Sequence, residues 1–166
     1  RFLADADFVP VPIAGLIDPG YIAQRSALIS ENAPMAKAGP GTPPGAEKLA
    51  WGDAEPAVEH GTSHFVAIDR AGNAVSYTST IESSFGSGIL VGGYWLNNQL
   101  TDFNLKPEAD GRLVANRPDG GKRPRSSMSP TLVFGPDGKL RLAVGAAGGA
   151  TIQRSTSGRV RGSTDA

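Results

Sequence analysis

The sequence predicts an α+β chain built mostly from short strands, with few helices. Three observations carry this reading. Gly 22 and Pro 13 in 166 residues favour frequent turns over long helices. One strong helix-start signal lies near the amino end. Two runs with hairpin character lie after residue 61. The length fits one domain of ordinary size and is enough to bury a core.

Residues 1–17 alternate short apolar pieces with Pro10 and Pro12 and read as extended or loop. Asp18-Pro19 then opens a helix, because Asp caps and Pro is preorganised for the first helical position. That helix is expected through Tyr21, Ile22, Arg25, Leu28 and Ile29, stopping near Asn32 ahead of Pro34. Residues 33–61 lack any period and carry Gly39-Pro40-Gly41-Thr42-Pro43-Pro44-Gly45, the composition of an exposed, mobile linker.

The character changes at Thr62. Ser63 to Asp69 is rich in β formers, Arg70-Ala71-Gly72-Asn73 is a turn, and Ala74 to Thr80 returns as a strand. Ser83 to Gly93 is Gly/Ser-rich and irregular. Residues 97–103 are polar around two apolar anchors, and 104–125 form a loop rich in Pro, Gly and charge. A second hairpin follows: Ser129 to Phe134, the turn Gly135-Pro136-Asp137-Gly138, then Lys139 to Val144, closed by Gly145-Ala146-Ala147-Gly148-Gly149.

Composition narrows the function. Sixteen basic and 16 acidic side chains give a formal net charge of +0, so charge alone draws the chain to neither nucleic acid nor a membrane surface. There is no Cys, which removes disulfides, thiol nucleophiles and Cys-based zinc sites. No apolar run approaches a membrane span. His60 and His64 are spaced i, i+4 beside Glu59, but Gly61 and the β-type run oppose a helix and the HExxH order is absent. No metal site and no cofactor are expected. Gly86-Ser87-Gly88 with Gly92-Gly93 lacks the third glycine, the βαβ frame and the helix of a dinucleotide loop, and reads as a glycine-rich surface or pocket loop.

Gly61-Thr62-Ser63-His64 is ordinary as a strand start and chemically suggestive as a junction. A Thr hydroxyl becomes a useful nucleophile when a base is in reach, and a freed amine on the same residue can be that base. Such a Thr must follow a cleavable, mobile segment and open a rigid strand, as Thr62 does on this reading. Ser126 and Ser127 could surround a carboxylate with hydroxyls. Gly148 and Gly149 could expose two N–H groups to an oxyanion.

In order, the chain carries Thr62-Ser63-His64, Thr80-Ile81-Glu82-Ser83-Ser84-Phe85-Gly86-Ser87-Gly88, Leu96 to Phe103 with Asn97-Asn98-Gln99 and Asp102-Phe103, Lys122 to Thr131, and Gly148-Gly149. This series resembles the γ-glutamyltranspeptidase family over about residues 1–150. The resemblance implies a partial N-terminal-nucleophile αββα sandwich, to which this chain supplies central strands. It implies a precursor that cleaves itself at Gly61-Thr62, with 1–61 the tail of the large subunit and 62–150 the start of the catalytic small subunit. Thr62 is then the nucleophile, Thr80 orients it, and Gly148 and Gly149 form the oxyanion hole. Gln99 and Asp102 hold the substrate α-ammonium. Glu82 stands where better-known members carry Asn and could hold the same group. Ser126 and Ser127 take the α-carboxylate. The implied substrate is a γ-glutamyl amide such as glutathione, passed to water or to an amino acid or peptide. The remainder of the large subunit is the implied partner, and the implied location is periplasmic or extracellular. Glu82 and a shortish loop between Asp102 and Ser126 keep open a glutaryl (cephalosporin) acylase of the same fold. Residues 151–166 leave the family's pattern, which keeps open an inactive fragment.

Overall fold

The computed structural model describes residues 1–30, 32–33, 39–53 and 61–149. The rest of the expected linker, with Glu59 and His60, and residues 150–166 lie outside the described residues. The described parts of 1–55 and 103–125 form one compact unit; those of 56–102 and 126–166 form a second.

The first unit holds two helices, α1 (Ile13–Leu16) and α2 (Pro19–Ser26). The α2 start is the one expected: Asp18 Oδ1 accepts the Tyr21 N–H at 2.8 Å, with Pro19 in the first turn. The helix stops short of the expected Ile29. Leu28 and Ile29 are about half exposed (53% and 52%), and apolar residues with no surface to bury them do not prolong a short helix. α1 replaces part of the expected extended stretch. It is one turn, closed by Leu16 N–H to Pro12 O at 2.9 Å, too short to leave a period in the sequence.

Residues 39–53, expected as exposed linker, are instead tied down. Tyr21 Oη donates to Pro40 O (3.1 Å) and Arg25 Nη2 to Gly39 O (2.7 Å). Trp51 Nε1 donates to Pro10 O (3.2 Å), and Gly52 N–H to Leu113 O (2.9 Å). Pro43 and Ala46 are buried. The segment lacks a period because single hydrogen bonds hold it. The 104–125 loop also contains a hairpin, β5 (Glu108–Ala109) with β6 (Arg112–Leu113). Its turn is Asp110-Gly111, both at positive φ (51° and 70°), the pairing that two-residue hairpins favour.

Phe2, Val9, Phe103, Val114 and Ala115 form the core of this unit, with the buried polar side chains of Asp5, Asn116 and Lys122 among them. Lys122 Nζ donates to Ala115 O (2.6 Å) and Arg117 O (2.9 Å). Burial, then the charge of Arg117, lowers the Lys122 pKa. Asn116 Oδ1 accepts the Arg125 N–H at 3.0 Å. Asp5 accepts Arg123 N–H (2.9 Å), Nε (2.9 Å) and Nη2 (2.8 Å). The side-chain bonds from Arg123 hold its carboxyl well below the usual range.

The second unit contains three antiparallel pairs: β1 (Thr62–Ile68) with β2 (Ala74–Thr80), β3 (Leu90–Val91) with β4 (Tyr94–Trp95), and β7 (Thr131–Phe134) with β8 (Leu140–Val144). The β1–β2 register runs from Thr62↔Thr80 to Ile68↔Ala74. Asp69 closes that turn, accepting the Ala71 and Asn73 N–H groups at 2.9 and 2.8 Å. Ser76 Oγ donates to Val144 O at 3.0 Å, joining β2 to β8. The β3–β4 pair lies partly in the stretch expected to be irregular. Gly92 and Gly93, both at positive φ (60° and 88°), make its turn, so these glycines fold the chain back on itself. Two-residue strands are too short to show alternation.

Candidate active site

The register fixes the centre of the site. Thr62 opens β1 and Thr80 ends β2 directly opposite, so both side chains fall on one face of the hairpin. Their hydroxyl oxygens lie 3.3 Å apart. Thr80 Oγ1 also accepts the Glu82 N–H at 2.8 Å, which occupies one lone pair and leaves its proton and second lone pair for Thr62.

The chain turns sharply at Glu82, which has φ 78°, a left-handed conformation uncommon for a non-glycine residue. Glu82 is 8% exposed. Its pKa is raised, first by burial, then by the charge of Asp102 and a side-chain hydrogen bond with it. Two like charges this close oppose one another's ionisation. Asp102 ends a 3-10 turn, Gln99–Asp102.

Around these groups lies a small hollow, open to solvent, lined by Thr62, Thr80, Glu82, Gln99, Asp102, Ser126, Ser127 and Met128. Seven residues singled out from sequence therefore share one depression. Met128 is an addition, with no chemical signal in the sequence beyond its place after Ser127. Gly148 and Gly149, expected as oxyanion donors, lie beyond β8 at φ 112° and 53° and are not among the lining residues. Gly61 packs so tightly that a Cβ there would overlap the Glu82 carbonyl oxygen.

His64 lies two residues along the same face as Thr62. Its Nδ1 is 2.8 Å from Thr78 Oγ1, and its Nε2 is buried with no hydrogen-bond partner among the described residues. A Cβ on Gly145 would overlap the ring, so the imidazole is packed into the sheet. Its geometry is that of a structural side chain.

The sequence profile of the gamma-glutamyltranspeptidase family matches residues 1–160. The chain belongs to the gamma-glutamyltranspeptidase family. It is 44% identical over 161 residues to the glutathione hydrolase proenzyme of Bacillus subtilis strain 168, covering 91% of this chain and 26% of that protein. The Pseudomonas aeruginosa glutathione hydrolase proenzyme is 40% identical over 160 residues, covering 91% and 26%. This family member thus spans about a quarter of the length of those relatives. A crystal structure of a Helicobacter pylori gamma-glutamyltranspeptidase mutant matches with a TM-score of 0.52 at 40% identity, over 62% of this chain and 59% of that one. The shared fold makes the chain part of an α+β N-terminal-nucleophile sandwich, as expected.

Proposed function

We propose that the protein carrying this chain is a γ-glutamyl hydrolase/transferase that cleaves itself at Gly61-Thr62 and then uses Thr62 as nucleophile. The observation that carries the reading is the meeting of the Thr62 and Thr80 hydroxyls, 3.3 Å apart, at a hollow that also holds two carboxyls and two serines. Paired carboxylates suit an ammonium; serine hydroxyls suit a carboxylate. An α-amino acid head group presents both.

In the first step Thr62 Oγ1 attacks the Gly61 carbonyl carbon. A C–O bond forms, the C–N bond breaks, and the hydroxyl proton passes to the departing Thr62 nitrogen. That shift frees the Thr62 amine; water then hydrolyses the ester, leaving a carboxylate on Gly61 and restoring the Thr62 hydroxyl. Among the described residues no imidazole or carboxylate is hydrogen-bonded to Thr62 Oγ1, so that amine is the base the site supplies. In turnover the hydroxyl attacks the γ-carbonyl of the donor, the amine takes its proton and passes it to the leaving group, and water or an acceptor amine removes the acyl group. Thr80 orients the nucleophile. In this reading Gly148 and Gly149 supply the oxyanion N–H groups, glutathione-like amides are the donors, the rest of the large subunit is the partner, and the enzyme works outside the cytoplasm.

The Glu82–Asp102 pair favours a γ-glutamyl over a glutaryl donor, which lacks the α-ammonium. Turnover of γ-glutamyl-p-nitroanilide and glutaryl-p-nitroanilide by the full-length protein tests this. The expected result is a strong preference for the first and loss of activity in Thr62→Ala. Equal turnover, or activity surviving Thr62→Ala, overturns the proposal.

A further inference from the structure

Glu82 follows β2 and Asp102 ends the 3-10 turn, and their charges repel when both ionise, so the framework that joins these two segments sets how closely the carboxyls meet. Glu82 also holds a left-handed φ of 78°, a conformation that strains a non-glycine residue. The bonds that flank both carboxyls converge on one residue, Asn98, three of them through its side chain. Asn98 Oδ1 accepts the Ser83 N–H at 2.9 Å. Asn98 Nδ2 donates to Ser83 Oγ and to Thr101 Oγ1, each at 3.0 Å. The Asn98 N–H donates to Ile81 O at 3.2 Å, and its carbonyl accepts from Thr101 N–H and Oγ1, each at 2.9 Å. One residue therefore grips both neighbours of Glu82 and the residue before Asp102.

We propose that Asn98 is a positioning residue that sets the spacing of the Glu82 and Asp102 carboxyls and thereby the affinity for the α-ammonium of the donor. The proposal rests on reading the hollow as a γ-glutamyl donor site. The residue type follows from the bonds. Both amide hydrogens and one oxygen lone pair are in use, a set that only a carboxamide offers. Aspartate keeps the acceptor, loses both donors and adds a third negative charge beside the pair. Glutamine is one methylene too long for the same three partners. Thr62 and Thr80, by contrast, are held by the β1–β2 register and do not depend on Asn98.

The test compares Asn98→Ala, Asn98→Asp and Ser83→Ala in the full-length protein, by initial rates with γ-glutamyl-p-nitroanilide and by crystal structures of the variants. Asn98→Ala and Asn98→Asp are expected to raise KM by about 10- to 100-fold, while kcat stays within about threefold and cleavage at Gly61-Thr62 proceeds. Ser83→Ala, which removes one bond of the set, is expected to fall between these and wild type. In the Asn98→Ala crystal structure the Glu82 and Asp102 carboxyls should move apart. Unchanged KM, an equal fall in kcat with KM untouched, or carboxyls that stay in contact in that crystal structure overturns the proposal. If wild type fails to turn over the γ-glutamyl substrate, the functional reading falls, and the crystal structure still decides whether Asn98 sets the pair.

Discussion

Replacing Glu82 by Gln separates the charge of the site from its shape. The side chains are nearly isosteric, and both meet the same strain at φ 78°. Glu82 is almost wholly buried, and burial, followed by Asp102, raises its pKa. A carboxyl with a raised folded-state value binds its proton more tightly folded than unfolded. Its contribution to stability is fully present below the ordinary glutamate value of about 4.3 and is lost as pH rises through the raised value. A bound ammonium acts oppositely, favouring the ionised pair and expelling the proton. Donor KM should therefore fall as pH rises through the raised value and level off above it. In Glu82→Gln one charge-assisted contact becomes a neutral one, a loss of about 1–2 kcal/mol, or about 5- to 30-fold in KM. The pH dependence of KM should flatten. At neutral pH the variant loses a like-charge contact with Asp102, so its Tm should hold or rise while affinity falls. Initial rates with γ-glutamyl-p-nitroanilide from mildly acidic to neutral pH, with thermal melts, provide the assay. An unchanged KM that keeps its pH slope, or a Tm drop like that of a lost core contact, refutes the reasoning.

Three further changes probe the neighbours. Thr80→Val removes the hydroxyl that meets Thr62 and leaves the Glu82 N–H without its acceptor, so kcat should fall about 10- to 100-fold; Thr80→Ser should retain most of it, and equal rates for the two would contradict the orienting role. Gly61→Ala places a methyl against the Glu82 carbonyl oxygen, so self-cleavage, followed by gel electrophoresis over time, should slow markedly; wild-type processing would show that the junction is not so confined. Asp5→Asn removes a carboxylate whose pKa Arg123 holds low. That stabilisation is present above the ordinary Asp value of about 3.9 and fades as pH falls toward the folded-state value. Urea melts of wild type and variant should differ at neutral pH and converge in strong acid; a constant gap would argue against the ion pair.

What the sequence disclosed followed the range of the forces involved. The Asp18-Pro19 start of α2 and the long strands of both main hairpins depend on neighbours in sequence, and local propensity made them legible. The hairpins at Gly92-Gly93 and Asp110-Gly111 rest on two-residue strands, and α1 on a single turn, so no period marks them. The packing of 39–53 depends on Trp51 reaching Pro10 and Gly52 reaching Leu113, partners that local composition does not reveal. At the site, the order of motifs singles out Thr62, Thr80, Glu82, Gln99, Asp102, Ser126 and Ser127, and the fold brings these seven to one hollow. The left-handed turn at Glu82, its closeness to Asp102 and the grip of Asn98 arise from tertiary contacts, and only the folded chain displays them. Gly148 and Gly149 were read from the motif, and the hollow forms without them.

The central claim is that Thr62 becomes a free amino terminus and then carries the acyl group. Intact-mass and peptide-mapping mass spectrometry of the full-length protein, acid-quenched during turnover of a γ-glutamyl donor, tests it directly. The expected result is a small chain beginning at Thr62, part of it heavier by one γ-glutamyl group on that residue. An active protein with the Gly61-Thr62 bond intact, or with the γ-glutamyl group on another residue, contradicts it.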